Sequence, residues 1–160
     1  MPPSTLLPST LLPVAPVTAV LLARGVCRAF AQRGYATLLE FPLANGRRAD
    51  VVVLGRGGDL GIVEIKSSAA DFRADRKWSL YRDFADRLYF AVPNGFPTAL
   101  IPKECGLIVA DPFGAAVLRD GDAAPLSPSR RRAVTLRFAL AAANRLRQAL
   151  DPHAGRLDGT

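Results

Sequence analysis

The sequence predicts a single domain of the α/β class, and three observations predict it. The chain has 160 residues, the size of one ordinary core of about 100 to 200 residues, so a second full domain does not fit. Its 49% hydrophobic and 22% charged residues are the balance of a globule that hides roughly 70% of its unfolded surface. Apolar residues recur at helical spacing in some segments and form strand-length runs in others, in the order helix, three strands, helix, two strands, helix.

The elements follow in turn. Met1 to Ala23 carry no charged side chain. A signal peptide or membrane span is still not predicted. Pro2, Pro3, Pro8, Pro13 and Pro16 interrupt any helix, no Lys or Arg precedes the apolar stretch, and an unbroken run of about 20 apolar residues is missing. Residues 4–8 and 9–13 repeat the letters STLLP, and residues 1–16 read as a flexible Pro-rich arm. The domain is expected over residues 17–150. It opens with a helix from Val17 to Arg33, burying Val17, Val20, Leu21, Val26 and Phe30 and ended by Gly34. Tyr35 to Leu43, Arg48 to Leu54 and Leu60 to Lys66 read as strands, the last two joined by a turn containing Gly55, Gly57 and Gly58. Asp71 to Asp86 reads as a helix with Trp78, Tyr81, Ala85 and Leu88 at spacings of three or four, and Asp71 is placed to cap it. Leu88 to Val92 and Gly106 to Ala110 are further strands, and Arg130 to Leu150 is an amphipathic helix. Residues 151–160 read as a flexible tail.

Composition narrows the chemistry. The 21 Lys and Arg outweigh 14 Asp and Glu to give a net charge of +7, which favours a polyanionic partner such as nucleic acid. Cys27, Cys105 and His153 are too few for the four Cys or His ligands of a structural zinc site. His153, in a Gly- and Pro-containing terminus, is a poor place for a catalytic base. One possible disulfide makes no scaffold, so both thiols read as reduced and packed, which favours the cytoplasm. Neither G-x(4)-GK[ST] nor G-x-G-x-x-G occurs, leaving no nucleotide-hydrolysis or dinucleotide reading.

The informative stretch is RRADVVVLGRGGDLGIVEIKSS, residues 47–68. A hairpin folded symmetrically about Gly57 sets Leu54 opposite Leu60, Val52 opposite Ile62, Asp50 opposite Glu64 and Arg48 opposite Lys66. Glu64 and Lys66 share one face because side chains alternate along a strand. Opposed like charges destabilise a sheet unless something compensates. A hard divalent cation does so, taking one or two carboxylates plus water and substrate phosphate. Asp50, Glu64 and the Ile65 carbonyl are the expected ligands. Lys66 would orient or deprotonate an attacking water, or balance charge on the phosphate, as phosphodiester hydrolysis requires. The competing explanation is a solvated ion pair at a strand end, worth about 0 to 1 kcal/mol. Against it, Val51 to Leu54 and Ile62 to Ile65 are the most apolar strands in the chain, and charges buried there need partners.

The Asp, then Glu-x-Lys constellation on a strand pair, with a helix before it and a helix and strand after it, resembles the PD-(D/E)XK, or restriction-endonuclease-like, superfamily. From Arg24 to about Arg147 the chain more closely resembles the MmcB family of bacterial DNA repair proteins. The likeness is carried by RGV at 24–26, GRRADV at 46–51, VEIKSS at 63–68, ADFRADRKW at 70–78, YRDFADRLYFAV at 81–92, GLIVAD at 106–111 and the helix from Arg130. The resemblance implies a restriction-endonuclease-like core with a mixed central sheet flanked by helices. It also implies a DNA repair role and a Mg²⁺- or Mn²⁺-dependent endonuclease site. By matched position, Asp50 and Glu64 are metal ligands and Lys66 the catalytic lysine. Ala49 stands where the superfamily name has proline.

Glu40 matches the additional upstream acid of some superfamily members, the alternative being a surface strand residue. Lys77 and Tyr81, four apart on the predicted helix, resemble the QxxxY element of some relatives, with Lys in place of Gln. Arg47 and Arg48, with Arg73, Arg76 and Lys77, flank the expected site and suit phosphate contact. Arg130 to Arg132 serve equally well as a solvated face. DNA is the expected partner, with other repair proteins beside it and no membrane. A catalytically inactive DNA-binding or scaffold module of the same fold is the rival expectation, since a fold does not certify a reaction.

Overall fold

The computed structural model describes residues 18–152. The arm expected over residues 1–16 and the tail beyond 152, with His153, lie outside the described residues. Six strands form one sheet in chain order: β1 (Ala36–Pro42), β2 (Arg48–Leu54), β3 (Leu60–Ile65), β4 (Arg87–Pro93), β5 (Gly106–Ala110) and β6 (Ala115–Arg119). The β1–β2, β2–β3 and β5–β6 pairs are antiparallel, and the β3–β4 and β4–β5 pairs are parallel. The mixed sheet, with helices on both faces, is the expected α/β fold. No helix among the described residues is long and apolar enough to cross a membrane.

The two sheet faces carry separate cores. Helix α1 (Ala19–Gln32) packs Leu22, Val26 and Phe30 on Val51, Val53, Val63 and Ile65. On the opposite face, α3 (Pro128–Leu150) contributes Val134 and Phe138 to a larger cluster with Val52, Ile62 and Phe90. Both parallel crossovers run over that second face, since Tyr81, Phe84, Phe96 and Ile101 all join it. Strand β3 is therefore buried along its whole length. Gly25 sets how closely α1 approaches: a Cβ there would lie 1.9 Å from the Asp111 carbonyl oxygen and 2.5 Å from that of Gly114. Cys27 and Cys105 are both free, half-buried and buried respectively.

Several details differ from the expectation. Val20 on α1 is 76% exposed, and the buried stripe runs instead through Leu22, Ala23, Val26 and Phe30. The helix expected from Asp71 to Asp86 is two pieces, α2 (Ala69–Ala74) and a 3-10 helix (Trp78–Phe84). Asp75 causes the break. Its Oδ1 accepts from the Lys77 N–H at 2.9 Å and its Oδ2 from Lys66 Nζ at 2.7 Å, so the side chain captures a donor that helix continuation would require. Ser68, not Asp71, caps α2, accepting from the Asp71 N–H, while the Asp71 carboxylate reaches back to the Ser67 N–H. Phe72 and Trp78 hold the two pieces down through edge-on contacts with Phe90, at 5.2 and 5.7 Å between ring centroids. Strand β6 was not expected, because a five-residue run that opens with two alanines carries little strand signal.

Asp86, at the start of β4, joins three elements. Its carboxylate accepts from the N–H groups of Leu60 at 2.8 Å and Leu126 at 2.9 Å, and from both Arg131 Nη atoms at 2.6 and 2.7 Å. Burial acts to raise its pKa, but the Arg131 guanidinium and the two N–H donors outweigh this and hold it below the ordinary 3.8. Asp86→Ala is expected to lower stability by about 2–4 kcal/mol. The stability that Asp86 contributes is present above the unfolded-state pKa and lost as pH falls through the depressed folded-state value. Urea unfolding of wild type and variant across the acid range checks both, and the gap between them should close toward low pH.

Candidate functional site

The β2–β3 ladder runs from the Leu54↔Leu60 pair to Val51↔Val63, the register expected of a hairpin centred on Gly57. Beyond that pair, carboxylates take the place of backbone acceptors. Glu64 Oε1 accepts from the Asp50 N–H at 3.3 Å, and Asp50 Oδ2 accepts from the Ile65 N–H at 2.8 Å. The two acids thus satisfy each other's strands where the strands part. Meanwhile β3 keeps its other neighbour, with the Lys66 N–H donating to the Ala91 carbonyl at 2.9 Å. Glu64 and Lys66 are only 3% and 6% exposed, so the cluster lies inside the sheet and not on a wet edge.

Burial dominates the electrostatics. It pushes Asp50 above the ordinary carboxylate range, against the pull of the Ile65 N–H and the Lys66 charge. Glu64 is pushed from 4.5 up to about 8 by burial first and by the Asp50 charge second. Lys66 Nζ forms an ion pair with Asp75 Oδ2 at 2.7 Å, with the two side chains 7% and 21% exposed. Burial acts to raise Asp75 too, but the Lys66 hydrogen bond and the Lys77 N–H overcome it and leave its pKa lowered. Tyr81 closes the same face of the cluster, its hydroxyl donating to the Arg48 carbonyl at 3.2 Å. Its pKa is raised by burial and then by the Glu64 charge.

The donor set suits a hard divalent ion in one respect and limits it in another. Two adjacent carboxylates, Glu64 buried and Asp50 half-buried, whose ionisation is resisted by burial and mutual repulsion are the situation a cation reverses, and Mg²⁺ commonly takes one or two carboxylates and fills its shell with water and phosphate. Among the described residues, however, no three His, Cys, Asp or Glu side chains are grouped to hold an ion. Glu40 stands across from Asp50 on β1 but is paired with Arg48 at 2.5 Å, and its φ of 50° interrupts the extended strand. Glu40, Asp50 and Ile65 nevertheless line one pocket of 170 Å³ with Ala19, Val20 and Ala23 of α1. The Ile65 side chain belongs to the core beneath α1.

The flanking cations are brought together unevenly. The Arg47 guanidinium lies 5.9 Å from the centre of the Tyr81 ring. Arg48 is exposed and held by Glu40. Arg73 is exposed in the last turn of α2. Lys77 is also exposed, but it precedes the 3-10 helix and does not share an α-helical face with Tyr81. A spacing of four aligns side chains on an α-helix but not on the 3-10 helix that carries Tyr81. Asp75 itself is the residue that sequence reasoning missed. The available signal was physical: a lysine at the end of a buried strand needs a counter-charge, and Asp75 lies on the segment that packs over it.

Comparison with known proteins bears on this arrangement. The solved structure of the "SPO1766 protein of unknown function" from Silicibacter pomeroyi is similar, with a TM-score of 0.85 and 39% sequence identity over 92% of this chain and 100% of that one. No curated protein matches the chain. The family model described as "DNA repair protein MmcB-like" matches residues 14–153, which include every strand and helix above. The chain belongs to the MmcB-like family of DNA repair proteins.

Proposed function

We propose that this chain is a metal-dependent DNA endonuclease of the PD-(D/E)XK type that acts in repair. The observation that carries the reading is the reciprocal pairing of Asp50 and Glu64 where β2 and β3 part, with Lys66 buried just past the end of β3. Asp50, Glu64 and the Ile65 carbonyl are the groups to hold Mg²⁺ or Mn²⁺, with Glu40 joining them if it releases Arg48. When bound, the ion would polarise the scissile phosphate and lower the pKa of a water.

The remaining work falls to the chain's own side chains. Lys66, as an ion-paired ammonium, donates hydrogen bonds and so supports orientation of the attacking water and offset of developing negative charge. Asp75 positions the Lys66 ammonium at the cluster. Arg47, Arg48, Arg73 and Lys77 supply phosphate contacts along the DNA, and Tyr81 holds the Arg48 backbone and the Arg47 guanidinium in place. The Lys66–Asp75 and Glu40–Arg48 pairs also favour a second reading, a DNA-binding scaffold that keeps the nuclease fold without cutting, because each pair engages a group that catalysis would use.

Cleavage assays separate the two. With Mg²⁺ or Mn²⁺ and nicked, branched, single-stranded or duplex DNA, Asp50→Ala and Lys66→Ala should each lower the rate about 100-fold or more. Variants that cut at the wild-type rate would remove the nuclease reading. Under the scaffold reading wild type cuts nothing, while Asp50→Ala binds DNA as well as wild type or better.

Metal linkage gives a test independent of turnover. Between the ordinary 4.5 and about 8, folded Glu64 keeps a proton that the unfolded chain has released. The stability it contributes is therefore fully present below 4.5 and lost as pH rises toward 8, with a slope of at most about 1.4 kcal/mol per pH unit for one proton. Metal-free wild type should show this decline, and Glu64→Gln should show a smaller one, left by Asp50, whose pKa is also raised. Added Mg²⁺ should raise the melting temperature of wild type more at the alkaline end of this range, where the ligands are ionised, and leave Glu64→Gln unmoved. A wild-type melting temperature indifferent to Mg²⁺ at every pH would count against a metal site.

A further inference from the structure

Beside the acid cluster lies a second concavity. A pocket of 400 Å³ opens between the β1–β2 hairpin, the 3-10 helix and α3. Its floor is apolar, built from Phe41, Leu43, Ala133 and Val134, and Arg130 and Arg137 stand at its edge. These arginines are seven residues apart on α3, two turns of one helix, so they flank the same opening. Arg130 is anchored, its Nη1 donating to the Asp83 carbonyl at 3.0 Å and its guanidinium 5.3 Å from the Phe84 ring centre. Arg137 is exposed and has no hydrogen-bond or ion-pair partner among the described residues.

An apolar recess with cations at its rim is complementary to a flat, weakly polar body that carries negative charge. A nucleotide has that character, and the location argues for it. The pocket shares two walls with the acid cluster. Tyr81 at the cluster and Phe84 at the pocket are three residues apart on one 3-10 helix, where such positions align. The hairpin that supplies Phe41, Leu43 and Asn45 to the pocket continues into Arg47, which lies over Tyr81. The same hairpin and the same 3-10 helix therefore carry residues of both the cluster and the pocket.

We propose that this pocket seats one unpaired nucleotide of a DNA strand, its base over Ala44 and Ala133, above the buried Leu43 and Val134, and its phosphate on Arg137. The inference rests on the reading that the chain binds DNA, but not on cleavage. It gives the protein a preference for strands with an unstacked base, as a gap, flap or single-stranded end provides. Phosphate contacts alone would not distinguish such sites.

The test uses the full chain with EDTA, so that binding is read without cutting. Fluorescence anisotropy compares labelled oligothymidylate with an abasic strand of the same length. Wild type should bind the abasic strand at least about 5-fold more weakly, the scale of one lost base contact. Ala133→Leu fills the recess from an exposed helix position and should bring that ratio close to unity. Arg137→Ala should weaken both strands and reduce the salt slope by about one phosphate contact. Unchanged melting of both variants verifies their folding. A wild-type ratio near unity, or a ratio that survives Ala133→Leu, overturns the inference, as does capture of an acidic aromatic peptide while both strands bind alike. Absence of any oligonucleotide binding overturns both the pocket and the DNA-binding reading. A preserved ratio in a protein that never cuts removes only the nuclease.

Discussion

The constraint on which the structure turns is a charged cluster at the heart of a sheet. Glu64, on a strand buried along its whole length, and Lys66, the residue after that strand ends, are nearly inaccessible, and burying an unpaired charge is among the most expensive things a fold does. The molecule meets that cost locally. Asp50 and Glu64 accept the N–H groups that the parting strands leave free, and Asp75 is brought in to neutralise Lys66. Apolar residues of similar volume at such a place are often as stable or more so, so packing alone does not account for the cluster.

The rest of the fold holds this cluster in place. The β2–β3 hairpin sets Asp50 opposite Glu64, and the parallel β4 carries the Ala91 carbonyl that keeps β3 in register past the point where β2 departs. Phe72 and Trp78 dock on Phe90, and that contact sets the segment carrying Asp75 over Lys66. Asp86 ties the opposite end of β3 and β4 to the loop before α3. Charge is thus used at both ends of the central strands in two ways. At one end the carboxylate is held well ionised by Arg131; at the other, burial resists ionisation of Asp50 and Glu64.

How much of this was legible in the sequence depended on the range of the interactions. The hairpin register followed from a glycine turn between two apolar strands, a local pattern, and with it came the pairing of Asp50 and Glu64. The break in the helix after Ala74 was not legible, because it depends on Asp75 meeting Lys66 from a different element. Val20 was misplaced because apolarity alone does not say which stripe of a helix meets the sheet, whereas Gly25 shows where close approach is needed. The left-handed backbone of Glu40 and its engagement by Arg48 left no mark in a strand-like run of residues. Strand β6 was missed because it is short, two of its five residues are alanine and Val117 is its single β-branched one.

That turn of backbone at Glu40 has a consequence for how copies of the molecule meet. β1 is a terminal strand of the sheet, the kind of border onto which a foreign strand adds most readily. Here the Arg145 guanidinium from α3 donates to the carbonyls of both Leu39 and Glu40, and the left-handed residue breaks the line of acceptors at the same place. An incoming chain finds no straight template there, and two of the strand's oxygens are already taken. At this point α3 itself occupies the border, which discourages fibre-like stacking along one of the two open edges of the sheet.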